Sequence, residues 1–352
     1  MEASHPLRND VEGHFRQLDG KASKMIPCSL VTTCRNEMRS FARWKANIQA
    51  QTRFPDEIVI VDAFSNDGTW EELTAWAAED SRIKILQEKG AAAHGRNVAI
   101  QNAKYDHIIS TDMGVRLEDC FCEELMRPFE NDPKVQLVIG NSCIDKESIT
   151  STASKTEFYL HQGEEDHLED GGSVGGNRAS AYIKDIWKEC GGLPEDLTFY
   201  ADDSTFFRQF RQAGYPFAYA PKAMTYWCRP AELKKYWRES YVYGRGDGEA
   251  AIKMSRTFKW YLQKKIPAWL ERFLNACRYT QKLLRPQAML NCLKNGDFDV
   301  LLMMPVFGFG IGWNQSKGYH DGYINGCSKC QDCRKRLEES KKNLAFDRRF
   351  SI

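Results

Sequence analysis

No apolar run in this 352-residue sequence is long enough to cross a bilayer. The longest lies between Val300 and Trp313, short of the ~20 residues a spanning helix needs, and Pro305 and several glycines interrupt it. Residues 1–23 are polar and lack an apolar stretch, so a secretory signal is not expected. The net charge is only +1, which gives no global argument for nucleic acid binding. Gly and Pro are too dilute for a disordered chain, and no internal repeat is visible. No Gly-x-Gly-x-x-Gly follows the first strand candidate, which argues against a dinucleotide-dependent dehydrogenase. Thr32 to Glu37 is not a Gly-rich basic loop, which disfavours a nucleotidyltransferase.

What is present is an ordinary globular composition, 42% hydrophobic and 28% charged. Most of the 12 cysteines are scattered singly, the pattern of reduced thiols in a cytosolic protein. Residues 1–24 read as a polar lead-in. Residues 25–250 alternate strand and helix patterns. Short apolar strands are expected at 28–32, 56–61, 83–86, 107–110 and 135–140. Helices are expected at 37–51, after Asp67, at 95–103, from Leu117 to a stop at Pro128, and at 204–213. This alternation argues for an α/β, doubly wound sheet. Residues 148–176 read as a polar loop over the site, and residues 251–352 as a mainly helical C-terminal region.

Acidic residues recur at or near strand ends, where open α/β sheets bind ligands. Asp62 and Asp67 flank a Ser-Asn-Asp-Gly-Thr turn and suit contacts to a nucleoside; Asp67 equally suits a turn and helix cap. Arg96 is placed to neutralise a diphosphate or to pair with a carboxylate. Asp112 offers a hard oxygen ligand for Mg²⁺ or Mn²⁺. Of the adjacent Asp202 and Asp203, one can cap a helix and the other can act as a general base.

In this order the residues resemble a family-2 glycosyltransferase of the GT-A fold, over roughly residues 26–250. Leu30 to Glu37 resembles the family's first strand and Asn-Glu turn. Ile60 to Thr69 resembles its nucleotide-binding signature, and Gly95-Arg96-Asn97 its Ala-Arg-Asn helix start. Thr111 to Val115 stands at the Asp-x-Asp position, Ala201-Asp202-Asp203 at the Glu-Asp signature, and Tyr243 to Gly246 at a Tyr-Gly-x-Gly segment. The resemblance implies an inverting transfer from a nucleotide-diphosphate sugar to an acceptor hydroxyl. It implies Asp203 as base with Asp202 beside it, and Asp112 as the ligand of a divalent cation. Donor contacts are implied from Thr33, Arg35, Glu37, Asp62, Asp67, Arg96, Thr111 and Asp112. Three positions depart from the pattern: Ala63 and Gly114 replace aspartates, and the downstream histidine is replaced in the Thr225-Tyr226-Trp227 region. A non-catalytic nucleotide-sugar binder is the remaining alternative.

Residues 253–285 carry nine basic side chains against one acidic, with aromatics interleaved. Such helices can lie on an anionic membrane or form a solvated cap. The expectation is an enzyme of the cytoplasm, peripheral on the inner membrane face. It would make a cell-surface polysaccharide or glycolipid on a glycan or lipid-linked acceptor. His320, Cys327, Cys330 and Cys333 have the composition of a structural Zn²⁺ site, or of a reduced thiol cluster.

Overall fold

The computed structural model describes residues 25–161, 176–197, 200–253 and 267–325. The first half alternates as expected: β1 (Cys28–Cys34), α1 (Met38–Gln49), β2 (Glu57–Asp62), α2 (Thr69–Glu79), β3 (Ile83–Gln87), α3 (Ala92–Asn102) and β4 (His107–Ser110). These strands are parallel, in the order β3-β2-β1-β4. Ile58 to Val61 is fully buried, as a parallel strand covered on both faces requires. Successive side chains point to opposite faces, so Leu30, Ile58 and Ile60 join one core layer and Val31, Val59 and Val61 the other. Phe41, Trp44 and Ile48 of α1 close the first layer with Trp76 of α2. Fully burying one such side chain contributes roughly 1.5–3 kcal/mol.

The second half is β5 (Val115–Leu117), α4 (Phe121–Asn131), β6 (Leu137–Ile144), α5 (Thr152–His161), β7 (Ser180–Ile183), α6 (Lys184–Glu189), α7 (Asp202–Gln212) and β8 (Phe217–Trp227). The sheet continues β4-β7-β6-β8-β5, giving eight strands. Strand β7 is antiparallel to β4 and β6, and β5 to β8, so the sheet is mixed. Phe206, Phe207 and Phe210 of α7 complete the second core layer.

Several local expectations differ. Pro128 does not stop the helix; α4 begins at Phe121 and runs through it. Proline forfeits one intrahelical bond there, but Phe129 beyond it is buried and holds the last turn to the core. Val115–Leu117 and Phe217–Trp227 are strands that the pattern did not announce. Strand β8 contains Pro221, which ordinarily argues against a strand. It sits where the β6–β8 register shifts, between Tyr219 and Met224, and the missing N–H is tolerated there. The expected loop at 148–176 includes helix α5.

Helices α8 (Leu233–Lys253), α9 (Ala268–Leu283), α10 (Pro286–Asn295) and α11 (Phe298–Asn325) form the helical region, with a core of Tyr236, Met304 and Phe307. Helix α8 passes residue 250 without a break and packs along α11. The backbones meet closely: a Cβ on Gly318 would stand 2.0 Å from the Tyr241 carbonyl oxygen. Among the described residues no helix is long and apolar enough to cross a membrane.

Candidate active site

The carboxyl ends of β1, β2 and β4 open onto a cleft of about 570 Å³. Thr33, Arg35, Glu37, Arg96, Asp112 and Arg178 are among its walls. Three of the expected donor residues, Asp62, Asp67 and Thr111, lie outside these walls.

Arg96 is the centre of the charge arrangement. Its guanidinium is only 10% exposed and hydrogen-bonds Asp112 with one nitrogen, while the other stands 3.5 Å from Asp202. Both roles foreseen for Arg96 concern negative charge, and the partners present are these two carboxylates. Arg178 approaches the far oxygen of Asp112 at 3.7 Å. The next residue on α3, Asn97, uses its whole amide. It donates to the Leu193 carbonyl at 2.8 Å and to Glu195 at 2.7 Å, and accepts from Trp187 Nε1 and the Leu193 N–H, both at 2.9 Å. Asn97 thereby pins the turn that leads towards α7.

Asp202 and Asp203 open α7 after Ala201, whose φ of 90° is left-handed and strained for a residue with a Cβ. The strained peptide is held from outside: a Cβ on Gly246 would fall 1.9 Å from the Tyr200 carbonyl oxygen, so only glycine admits this approach of α8. The Tyr200 ring stacks on Tyr243, with centroids 4.8 Å apart. The two aspartates then diverge. Burial pushes the Asp202 carboxyl up to about 6, with Arg96 opposing and Asp203 adding to the rise. Asp203 accepts from the Ser204 N–H at 2.6 Å, a local helix-start contact.

Asp62 is fully buried and accepts from the Ser65 N–H at 3.0 Å, from the Ser65 hydroxyl and from Gln87 at 3.1 Å. It shapes the turn rather than the cleft wall. Asp67 is exposed and accepts from Thr69 Oγ1 at 2.6 Å and from the Met38 N–H at 3.1 Å. The Thr69 hydroxyl holds its carboxyl below the usual carboxylate range. This is the turn-and-cap role. Thr111 is fully buried.

Among the described residues no three His, Cys, Asp or Glu side chains gather to hold a metal. Mg²⁺ and Mn²⁺ in phosphate-transfer sites need only one or two carboxylates plus phosphate oxygens. Asp112, 32% exposed at the cleft, fits that donor set. A Cβ on Gly114 would lie 3.6 Å from a Glu37 carboxylate oxygen. An aspartate there would face Glu37, a like-charge contact that the glycine avoids. His320 lies on α11, with Nδ1 3.8 Å from Asp321. Cys327, Cys330 and Cys333 lie outside the described residues.

Sequence reasoning missed Arg178, Tyr200, Trp227 and the Arg229 cluster. Arg229 hydrogen-bonds both oxygens of Glu157 and reaches Glu239 at 3.0 Å, tying the end of β8 to α5 and α8. These residues come together only through the antiparallel half of the sheet and the helices behind it. Tyr200 had a signal in its place just before the acidic pair, and Trp227 in the stretch where the downstream histidine is replaced.

A mixed sheet with helices on both faces and a cleft of paired arginines and carboxylates at the parallel strand ends is the GT-A glycosyltransferase architecture. The chain resembles the mannosyltransferase PcManGT from Pyrobaculum calidifontis, solved with GDP-Man and Mn²⁺, with a TM-score of 0.55 and 18% identity. That likeness covers 86% of this chain and 88% of that one. Residues 29–187 match the model for glycosyl transferase family 2. It is 29% identical over 115 residues to glycosyltransferase GlyG of Streptococcus pneumoniae serotype 4, covering 32% of this chain and 38% of that protein. It is 28% identical over 206 residues to the succinoglycan biosynthesis protein ExoA of Rhizobium meliloti, covering 56% of this chain and 61% of that protein. The matches thus span less than two thirds of either curated relative.

Proposed function

We propose that the protein is an inverting glycosyltransferase that moves a sugar from a nucleotide-diphosphate donor to an acceptor hydroxyl in polysaccharide or glycolipid synthesis. The observation that carries this reading is the placement of Asp112 and Asp202 on one guanidinium, that of Arg96, beside the cleft. Asp202 is assigned as the base in preference to Asp203. A carboxyl raised to about 6 is ionised at neutral pH yet basic enough to take a proton. The acceptor oxygen bonds to the anomeric carbon while the bond from that carbon to the diphosphate breaks, its electron pair leaving on the diphosphate oxygen. The acceptor proton passes to Asp202. Arg96 keeps Asp202 and Asp112 at fixed separation during this exchange. Asp112 would hold a divalent cation, which when bound would supply positive charge at the leaving diphosphate. The Mn²⁺ and GDP-Man of the archaeal mannosyltransferase support that assignment.

The biosynthetic setting is supported by the succinoglycan relative. A cytoplasmic site of action suits described cysteines that form no disulfide with one another. Attachment to an anionic inner membrane face is favoured by apolar side chains exposed on the helical region. Phe298 is 61%, Leu302 77% and Val306 50% exposed.

A thermal-shift screen of nucleotide sugars, with and without Mn²⁺, tests the donor assignment. Ligand at about 100-fold over its dissociation constant adds about 2.7 kcal/mol of stability. A Mn²⁺-dependent rise in Tm with at least one donor is expected. No rise with any donor refutes the reading.

A further inference from the structure

We propose that Arg178 is a ligand of the donor's diphosphate, which supplies a fixed positive charge where Gly114 leaves Asp112 without a second aspartate. The inference rests on the glycosyltransferase reading and assigns a residue that the family motifs do not name.

Of the four arginines that line the cleft, Arg35 is exposed at the end of β1, and the other three differ in how their guanidinium groups are used. Arg96 is committed to Asp112 and Asp202. Arg229 is committed to Glu157 and Glu239. Arg178 is oriented without being saturated. Its guanidinium carbon stands 4.8 Å from the centroid of the Trp227 ring. One nitrogen is 3.5 Å from the Tyr243 hydroxyl, and its Nε is 3.7 Å from Asp112 Oδ2. These contacts are long for charge-assisted hydrogen bonds, which run at about 2.7–2.9 Å. The side chain is 35% exposed and lines the same cleft as Asp112. A planar fork with unused N–H groups beside a cation-binding carboxylate is the geometry that binds phosphate in a bidentate manner.

The chain around Arg178 supports the assignment. Its neighbour Asn177 is 1% exposed, with neither amide atom hydrogen-bonded. A buried amide left so is costly, and a polar ligand at this edge would relieve it. Gly176 lies against Asp203: a Cβ there would stand 3.4 Å from Asp203 Oδ2. Residues 176–178 therefore connect the acidic pair to Asp112. As the bond from the anomeric carbon to the diphosphate breaks, charge grows on the leaving oxygen. The N–H groups of Arg178 meet that charge without reorganising. When the diphosphate is bound, Arg178 exchanges its long contact with Asp112 for phosphate oxygens, and Asp112 keeps its own oxygens for the cation.

The test is calorimetric titration of GDP and UDP, then GMP and UMP, in Mn²⁺, into the wild-type protein, Arg178→Gln and Arg178→Lys. Arg178→Gln is expected to weaken binding of the nucleoside diphosphate about tenfold while monophosphate affinity stays within about twofold. Arg178→Lys should recover part of the loss, as a point charge without the fork. Thermal melting of each variant verifies folding, and a substitution at a partly exposed side chain should leave it intact. Equal diphosphate affinity in wild type and Arg178→Gln overturns the assignment and leaves the glycosyltransferase reading standing. Equal losses for mono- and diphosphates also overturn it. Wild-type protein that binds neither diphosphate removes both.

Discussion

Arg96 and Asp202 lie 106 positions apart in sequence, yet Arg96 Nη1 stands 3.5 Å from Asp202 Oδ2 while its other terminal nitrogen bonds Asp112. The contact joins α3 on the parallel half of the sheet to α7 on the mixed half, so the site depends on the whole fold.

Removing the Arg96 charge should leave two carboxylates at the cleft without their shared cation. Breaking a buried pair by deleting one partner costs about 3–5 kcal/mol. Arg96→Gln is expected to lower stability towards the upper part of what single substitutions do, and Arg96→Lys by less. Urea denaturation measures both. A double-mutant cycle with Asp112→Asn should be non-additive, since the two side chains touch.

The pH dependence follows from the raised Asp202 carboxyl. A base that titrates at about 6 gives a rate that is flat above that pH and falls below it. Asp203 contributes to the rise, so Asp203→Asn should move the acidic limb to lower pH. The stability sign is opposite. A carboxyl raised in the folded state contributes stability that is fully present below its unfolded value of 3.8 and is lost as pH rises through about 6. Asp202→Asn should therefore melt no lower than wild type at pH 8. A pH series of initial rates and melting curves distinguishes these effects.

The β-α alternation up to β4 was legible because parallel strands are continuous apolar runs with helices of clear period between them. Ile58 to Val61 and the Phe41, Trp44, Ile48 stripe are the plainest cases. Strand β8 was not legible, because Pro221 and a register shift break its alternation. At the site, Arg96, Asp112 and the acidic pair were visible from their neighbours in sequence. Which aspartate meets Arg96 was not visible, since that depends on the left-handed turn at Ala201. Asp62 and Asp67 hold the turn after β2, and because a turn and a binding site use the same polar residues, sequence alone does not separate the two roles. Arg178 had no pattern to mark it, being placed by antiparallel pairing of the strand that follows.

Gly246 gives a test of how the helical region supports the site. Gly→Ala in a helix usually gains up to about 1 kcal/mol. Here the added carbon would meet the Tyr200 carbonyl at 1.9 Å, backbone against helix. Gly246→Ala is expected to cost about 1–3 kcal/mol instead, the range for overpacking. Because Tyr200 and Ala201 precede Asp202, it should also lower kcat. A variant as stable and active as wild type would mean that this contact does not position the acidic pair.

Membrane attachment is tested by sedimentation with vesicles containing an anionic phosphatidylglycerol fraction. The wild-type protein is expected to co-sediment, and less so as salt rises. Leu302→Glu with Val306→Glu should release it, because both side chains are exposed on α11 and carry little of the fold. Binding that survives this double substitution would place the attachment elsewhere.

The most direct measurement is release of nucleoside diphosphate from a bound nucleotide sugar by wild type, Asp202→Asn and Asp203→Asn, with diphosphate affinity measured alongside. A general base contributes about 10²–10⁴-fold to rate. The expected result is a loss of that order in Asp202→Asn with diphosphate binding retained, and a much smaller loss in Asp203→Asn. Turnover by Asp202→Asn at the wild-type rate would contradict the account.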